Sequence, residues 1–251
     1  MSGQIVIVTG GSRGIGAATA RLLGLEKAAV VVNYRSAKAE ADAVVRDVAA
    51  AGGRAFAIPG DMGNEEDILR VFAEADRAFG PLTGLVNNAG ITGGQKRRID
   101  AITFAGVTDV MRVNFTGPLV CAREAVRRMS TRSGGKGGAI VNVSSYGALT
   151  GSPGAFIDYA ASKGALDTMT IGLAAETAGS GIRVNAVRPG LIDTEIHNGL
   201  GIPDRVKRFG PSMPVGRAGT AQEVAEAIVW LLSDKASYVT GDFINVTGGA
   251  R

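Results

Sequence analysis

One cysteine, one histidine and few aromatic residues, 5% of 251, already exclude several kinds of protein. The single thiol, Cys121, cannot form an internal disulfide, so the fold must be held by its core, and a reducing compartment suits it. No stretch reaches the ~18 apolar residues of a membrane-spanning helix, and none is expected to meet a bilayer. The start, Met1 to Gln4 before the apolar Ile5 to Val8, lacks the basic region and the longer apolar run of a signal peptide, so the expected location is cytoplasmic. Charge of neither sign dominates: 27 basic groups face 23 acidic ones, for a net +4. The basic clusters Lys96-Arg97-Arg98 and Arg123, Arg127, Arg128, Arg132 have no interleaved aromatics, so nucleic acid is not an expected partner. On a helix the second cluster reads as solvated pairs near a C-terminal end.

The lone histidine limits metal chemistry as well. Asp193, Glu195 and His197 alternate as ligands on a strand face would, but in a loop they read more simply as polar lining, and no metal is expected.

What the chain does have is alternation. With 45% hydrophobic residues and no internal shift in composition, residues 1–251 read as one large α/β domain. Gln4 to Thr9 reads as a buried strand that runs into Thr9-Gly10-Gly11-Ser12-Arg13-Gly14-Ile15-Gly16 and then a helix. Strand, Gly-rich turn and helix place bare N–H groups at a helix N-terminus, where they can hold a pyrophosphate. A second strand, Ala28 to Asn33, ends in Asn33-Tyr34-Arg35-Ser36, where NAD-binding folds place an acid on the ribose 2′-hydroxyl. No carboxylate stands there, and Arg35 with Arg13 favours a 2′-phosphate, so NADP(H) is preferred and NAD(H) remains possible.

Helices over Lys38 to Ala51 and Glu65 to Phe79 alternate with strands at Arg54 to Pro59 and Thr83 to Asn87. Asn87-Asn88-Ala89-Gly90 closes the latter, with amides suited to a ribose or adenine. Asn114 lies in a long helix, and Ala139 to Val143 forms a strand ending at Ser144 and Ser145. A helix from about Tyr159 to Ala178 follows, then a strand at Ile182 to Val187. Pro189-Gly190 opens a long loop, about 190–216, with Pro203, Pro211 and Pro214, of the kind that forms lids and binding loops. A helix over Ala221 to Ser233 and a strand over Tyr238 to Val246 close the chain.

Tyr159 and Lys163 are four apart on one helix, which puts them on one face. A phenol working near neutrality needs a shift of ~3 units, or ~4 kcal/mol, towards the phenolate. A cation at about 4 to 5 Å supplies roughly 3 to 4 kcal/mol at an effective dielectric near 20. Alone, such a pair is also an ordinary feature of a helix surface.

Together the glycine turn, Asn87-Asn88-Ala89-Gly90, Asn114, Ser145, Tyr159-x-x-x-Lys163 and Pro189-Gly190 resemble, over the whole chain, the short-chain dehydrogenase/reductases. The resemblance implies a doubly wound Rossmann sheet of seven parallel strands, order 3-2-1-4-5-6-7. It also implies NAD(P)-dependent hydride transfer to or from a small carbonyl or alcohol, and a homotetramer. Tyr159 becomes the general acid/base, and Lys163 lowers its pKa and holds the nicotinamide ribose. Ser145 orients the carbonyl, and Asn114 holds a relay water. Gly10, Ser12, Arg13, Ile15, Asp61, Met62, Asn88, Ile192 and Thr194 become cofactor contacts. The 14-residue step from Ser145 to Tyr159 is one longer than usual, which leaves Ser144 as an alternative. Within the family the pattern looks most like sugar dehydrogenases of the glucose 1-dehydrogenase type. The other candidate is the 3-oxoacyl-carrier-protein reductases, for which Arg128, Arg132 and Lys136 would have to receive an acidic carrier.

Overall fold

Strands with apolar residues at both odd and even positions have no face to show water, and a sheet made of them must be covered on both sides. β1 (Ile5–Val8) and β2 (Ala29–Tyr34) are such strands, buried along their whole length. The computed structural model describes residues 1–197, 200, 202 and 204–250, with the His197 side chain left out. β3 (Arg54–Pro59), β4 (Gly84–Asn87), β5 (Gly138–Val143) and β6 (Ile182–Pro189) follow. Two short strands, β7 (Ile192–Asp193) and β8 (Gly219–Thr220), pair only with each other, and β9 (Phe243–Val246) comes last. The other seven form one sheet in the order β3-β2-β1-β4-β5-β6-β9, parallel throughout, which is the expected doubly wound order.

Side-chain alternation divides the core between two layers. Val6, Val8, Val30 and Val32 point to one face, where Leu23 of α1 (Gly14–Leu25), Val48 of α2 (Lys38–Ala50) and Ile228 of α9 (Ala221–Leu232) cover them. Ile5, Ile7, Val31 and Leu85 point to the other. There they meet Phe72 of α3 (Glu65–Phe79), Met129 of α5 (Gly117–Met129) and Ala174 of α7 (Ile157–Thr177). Each large side chain so buried contributes ~1.5 to 3 kcal/mol.

Three sequence expectations change here. Asn114 does not sit in one long helix: α4 (Phe104–Met111) passes through a π turn, Arg112–Thr116, before α5 begins. The arginines of α5 are not solvated pairs. The buried carboxylate of Glu124 accepts hydrogen bonds from Arg123, Arg127 and Arg128, and Arg128 also bonds Asp76 and lies over the Phe72 ring at 5.2 Å. An acid turned inward drew the cations over itself. The last strand starts only at Phe243, because Tyr238 is fully exposed and Gly241, at φ +78°, turns the chain into the sheet.

The long loop carries β7, α8 (Arg205–Phe209) and short 3-10 turns, while Asn198, Gly199, Gly201 and Pro203 lie outside the described residues. No described helix is long and apolar enough to cross a membrane. β1 lies between β2 and β4, so the connections leave in opposite directions at its C-terminal end and open a crevice there.

Candidate active site

The turn after β1 is built for close backbone approach. Gly10 has φ +61°, and a Cβ at Gly16 would stand 2.5 Å from both the Gly10 carbonyl oxygen and Asn88 Nδ2. Two amides hold the turn. Asn88 Nδ2 donates to Thr9 O at 2.9 Å and Gly10 O at 3.0 Å, while Asn33 Oδ1 accepts from Gly10 N at 3.2 Å. Asn33 is buried and its Nδ2 donates to Gly60 O at 3.1 Å, so its side chain ties the β2 end to the turn after β3. Arg13, the residue before α1, makes no side-chain cap, which leaves the first N–H groups of the helix free for an anion.

Around this turn lies a cavity of about 300 Å³ lined by Gly10, Ser12, Arg13, Gly14, Ile15, Asn33, Arg35, Ser36, Asp61, Met62, Asn88, Ala89, Gly90 and Thr194. Most of the residues expected to contact a dinucleotide are thus on one wall-to-wall surface. Gly16 lies behind it as the close-packing position. Arg13 and Arg35 are exposed and have no acidic partner among the described residues. Asp61 is tied down by Gly63 N at 2.8 Å and Arg112 Nη1 at 3.0 Å.

A second cavity of about 340 Å³ adjoins the first and shares Ile15, Asn88, Gly90 and Thr194 with it. Ser144, Ser145, Tyr159, Lys163, Pro189, Gly190 and Ile192 line it. β5 delivers the serines, and α7 delivers the tyrosine and lysine. Between them lie α6 (Gly147–Thr150) and a turn with left-handed Gly151, Ser152 and Gly154. Ser145 is the serine whose side chain acts on the Tyr159 phenol, pulling its pKa down, whereas Ser144 Oγ donates to Lys163 O at 3.3 Å.

Burial pushes the Tyr159 phenol above its ordinary pKa; the Ser145 side chain and the Arg205 charge oppose this but do not cancel it. Burial also pulls Lys163 down to about 8, with the charge of Asp167 acting against it. Lys163 Nζ donates to Val143 O at 2.7 Å and lies 5.8 Å from the Tyr159 ring centroid. Asn114, completely buried in the π turn, lines neither cavity. Its Oδ1 accepts from Ile91 N and its Nδ2 donates to Ile91 O, each at 2.8 Å, and Nδ2 also reaches Ser162 Oγ at 3.0 Å. That amide clamps the strand-end loop to α7, and a Cβ on Gly90 would stand 3.3 Å from it and 3.5 Å from Lys163 Nζ.

Glu195 lines the first cavity as polar lining, and Asp193 is exposed; the His197 side chain lies outside the described residues. Sequence reading missed Arg205, which lines the second cavity. It stands in the long loop, where no periodicity or motif marks a residue as inward-facing.

Set against known proteins, residues 10–251 match the family described as Enoyl-(Acyl carrier protein) reductase. The uncharacterized oxidoreductase YgfF of Escherichia coli is 52% identical over 98% of this chain and 99% of its own. The glucose and ribitol dehydrogenase homolog of Oryza sativa subsp. japonica is 36% identical, covering 98% of this chain and 85% of its own. The solved short-chain dehydrogenase/reductase from Serratia marcescens superposes with a TM-score of 0.90 at 33% identity, over 99% of this chain and 98% of that one.

Proposed function

This chain belongs to the short-chain dehydrogenase/reductase family, and from that we propose an NADP(H)-preferring oxidoreductase that interconverts a small secondary alcohol and its carbonyl compound. One observation carries the reading: Tyr159, Ser145 and Lys163 share a cavity that opens directly onto the glycine-turn cavity. The two volumes fit a dinucleotide whose reactive end lies in the second. Arg35 and Arg13, unpaired at the adenosine end, support the phosphorylated form, and Asn33 offers no carboxylate to the 2′-hydroxyl.

When bound, the nicotinamide supplies or accepts the hydride. The residues of the chain handle the proton. Tyr159 donates its phenolic proton to the carbonyl oxygen in reduction and takes it back from the alcohol in oxidation. Ser145, which lines the same cavity as that phenol, holds the reacting oxygen and steadies its developing charge. Lys163, fixed on Val143 O beside Gly90, supplies the nearby positive charge and a donor for a ribose hydroxyl. Asn114 fixes the Ile91 backbone that shapes this wall.

For the substrate, the glucose and ribitol dehydrogenase homolog points to a polyol or sugar. The carrier-protein alternative is weakened because Arg128, one of its three cations, is bonded to Asp76 and Glu124. A homotetramer accords with the exposed apolar side chains Phe104 and Leu119 on α4 and α5, and a reducing, cytoplasmic setting with the free, buried Cys121. Spectrophotometric oxidation of NADPH and NADH, with the reverse reactions, against sugars, diketones, steroids and 3-oxoacyl thioesters tests the reading. Turnover of a small alcohol or carbonyl supports it; cofactor binding with silence across the panel overturns it.

A further inference from the structure

We infer that the substrate carries an anionic oxyacid group, a carboxylate or a phosphate, and that Arg205 binds it. The inference rests on the oxidoreductase reading above and narrows its substrate. Among the described residues, the cavity at Tyr159 is lined by two cations, Lys163 and Arg205, and by no Asp or Glu. Lys163 is committed to the Val143 carbonyl. Arg205 is not committed to anything comparable. The residue is half-buried, with its Cζ 5.8 Å from the Phe156 ring centroid, near the outer reach of a cation–π contact. That contact satisfies none of its five N–H donors.

No carboxylate among the described residues pairs with Arg205. Asp204 faces Lys207 at 3.9 Å, and Asp158, next to Tyr159 in sequence, is bonded by Arg97 through Oδ2 while its buried Oδ1 has no hydrogen-bond partner among the described residues. Taking a cation out of water without a partner is costly, so such a group marks a place where a ligand brings the missing charge. The cofactor's own phosphates are not that ligand. They belong to the cavity at the glycine turn, which Arg13 lines and Arg205 does not.

The second cavity therefore has three zones. Ser145 and Tyr159 form the reacting end, Phe156, Leu191 and Met213 give apolar walls, and one planar, fork-shaped cation, whose charge also acts on the Tyr159 phenol, stands in the lining. A ligand matching them has a hydroxyl or carbonyl, a compact carbon body and an oxyanion. The guanidinium fork pairs with either anion through two parallel hydrogen bonds.

The test compares wild type with Arg205→Met and Arg205→Lys, each first shown to be folded by thermal melting. Matched substrates are cyclohexanone with 4-oxocyclohexanecarboxylate and glucose with glucose 6-phosphate, and the cofactor-loaded proteins are titrated calorimetrically with cyclohexanecarboxylate and with inorganic phosphate. Wild type should favour the anionic member of a pair. In Arg205→Met the anionic-to-neutral ratio of kcat/KM, and the affinity for the matching anion, should fall about 10- to 100-fold, with Arg205→Lys between. Which pair responds separates carboxylate from phosphate. An unchanged ratio in Arg205→Met, or a wild type that binds neither anion, overturns the inference. Silence on every substrate with anion binding that depends on Arg205 would instead remove the reaction reading and leave the anion site standing.

Discussion

The Lys163 ammonium lies 5.8 Å from the centroid of the Tyr159 ring and gives its hydrogen bond to the Val143 carbonyl, at 2.7 Å. Burial moves the two groups in opposite directions, each toward its neutral form. The pair is thus held in place by the sheet edge, not by a direct bond, and its protonation answers to whatever charge enters the cavity.

Lys163 should leave a mark on stability. Its pKa is about 8 in the folded chain against 10.5 ordinarily, so between those values the unfolded chain holds more protons and stability rises with pH. Below about pH 8 the full cost of the buried charge is present; above 10.5 it is gone. Relative to Lys163→Met, wild type should gain up to ~3 kcal/mol across that window. Melting temperatures of both proteins from pH 7 upward measure it, and a constant difference would refute the buried charge.

Tyr159→Phe should reduce turnover by ~10² to 10⁴ while cofactor affinity stays nearly intact. Because the phenol is shifted upward, alcohol oxidation by wild type should rise with pH through the neutral and alkaline range, whereas reduction should fall only at high pH. Steady-state rates in both directions decide, and substantial activity in the variant would remove Tyr159 from its role.

Arg35→Ala should weaken NADP(H) by roughly 1 to 3 kcal/mol and NAD(H) far less, since only the former offers a phosphate to the lost guanidinium. Fluorescence titration with each cofactor is sufficient. Equal losses would show that Arg35 does not read the phosphate.

Glu124→Gln should lower stability by ~1 to 3 kcal/mol, because three arginines lose the charge that gathers them. Burial alone would raise the Glu124 pKa, but hydrogen bonds from Arg128 and Arg123 and the charge of Arg127 hold it below the ordinary 4.5. Its contribution is therefore complete above about 4.5 and lost as pH falls through the lower folded value. Urea melts at neutral and acid pH should show the gap between variant and wild type closing in acid; a gap independent of pH would count against it.

The sheet could be read from the sequence because its strands are apolar on both faces, a pattern visible in Ile5–Val8 and Ala29–Tyr34 without knowing their neighbours. The glycine turn could be read because only glycine fits positions 10 and 16. What escaped depended on partners distant in sequence. Glu124 looked like one acid on a basic helix until folding buried it, and Asn114 looked helical because a π turn has no sequence period of its own. The reach of Lys163 was set by Val143, 20 residues away, rather than by helical spacing to Tyr159. Arg205 sits in a segment where neither period nor motif says which way a side chain faces.

The place of β1 at the centre of the sheet has a consequence for how the protein is made. Ile5 N donates to Thr83 Oγ1 across a separation of 78 residues, so one edge of the central strand has no partner until β4 has been synthesised. At the ~5 to 20 residues per second of translation, that edge stays open for several seconds, lined with Ile and Val. Long-range parallel pairing is slow to form and exposes aggregation-prone strands meanwhile. The crevice that makes the site is thus also the last seam of the first half-sheet to close, and a nascent chain is at its most vulnerable at the strand around which the site is later built.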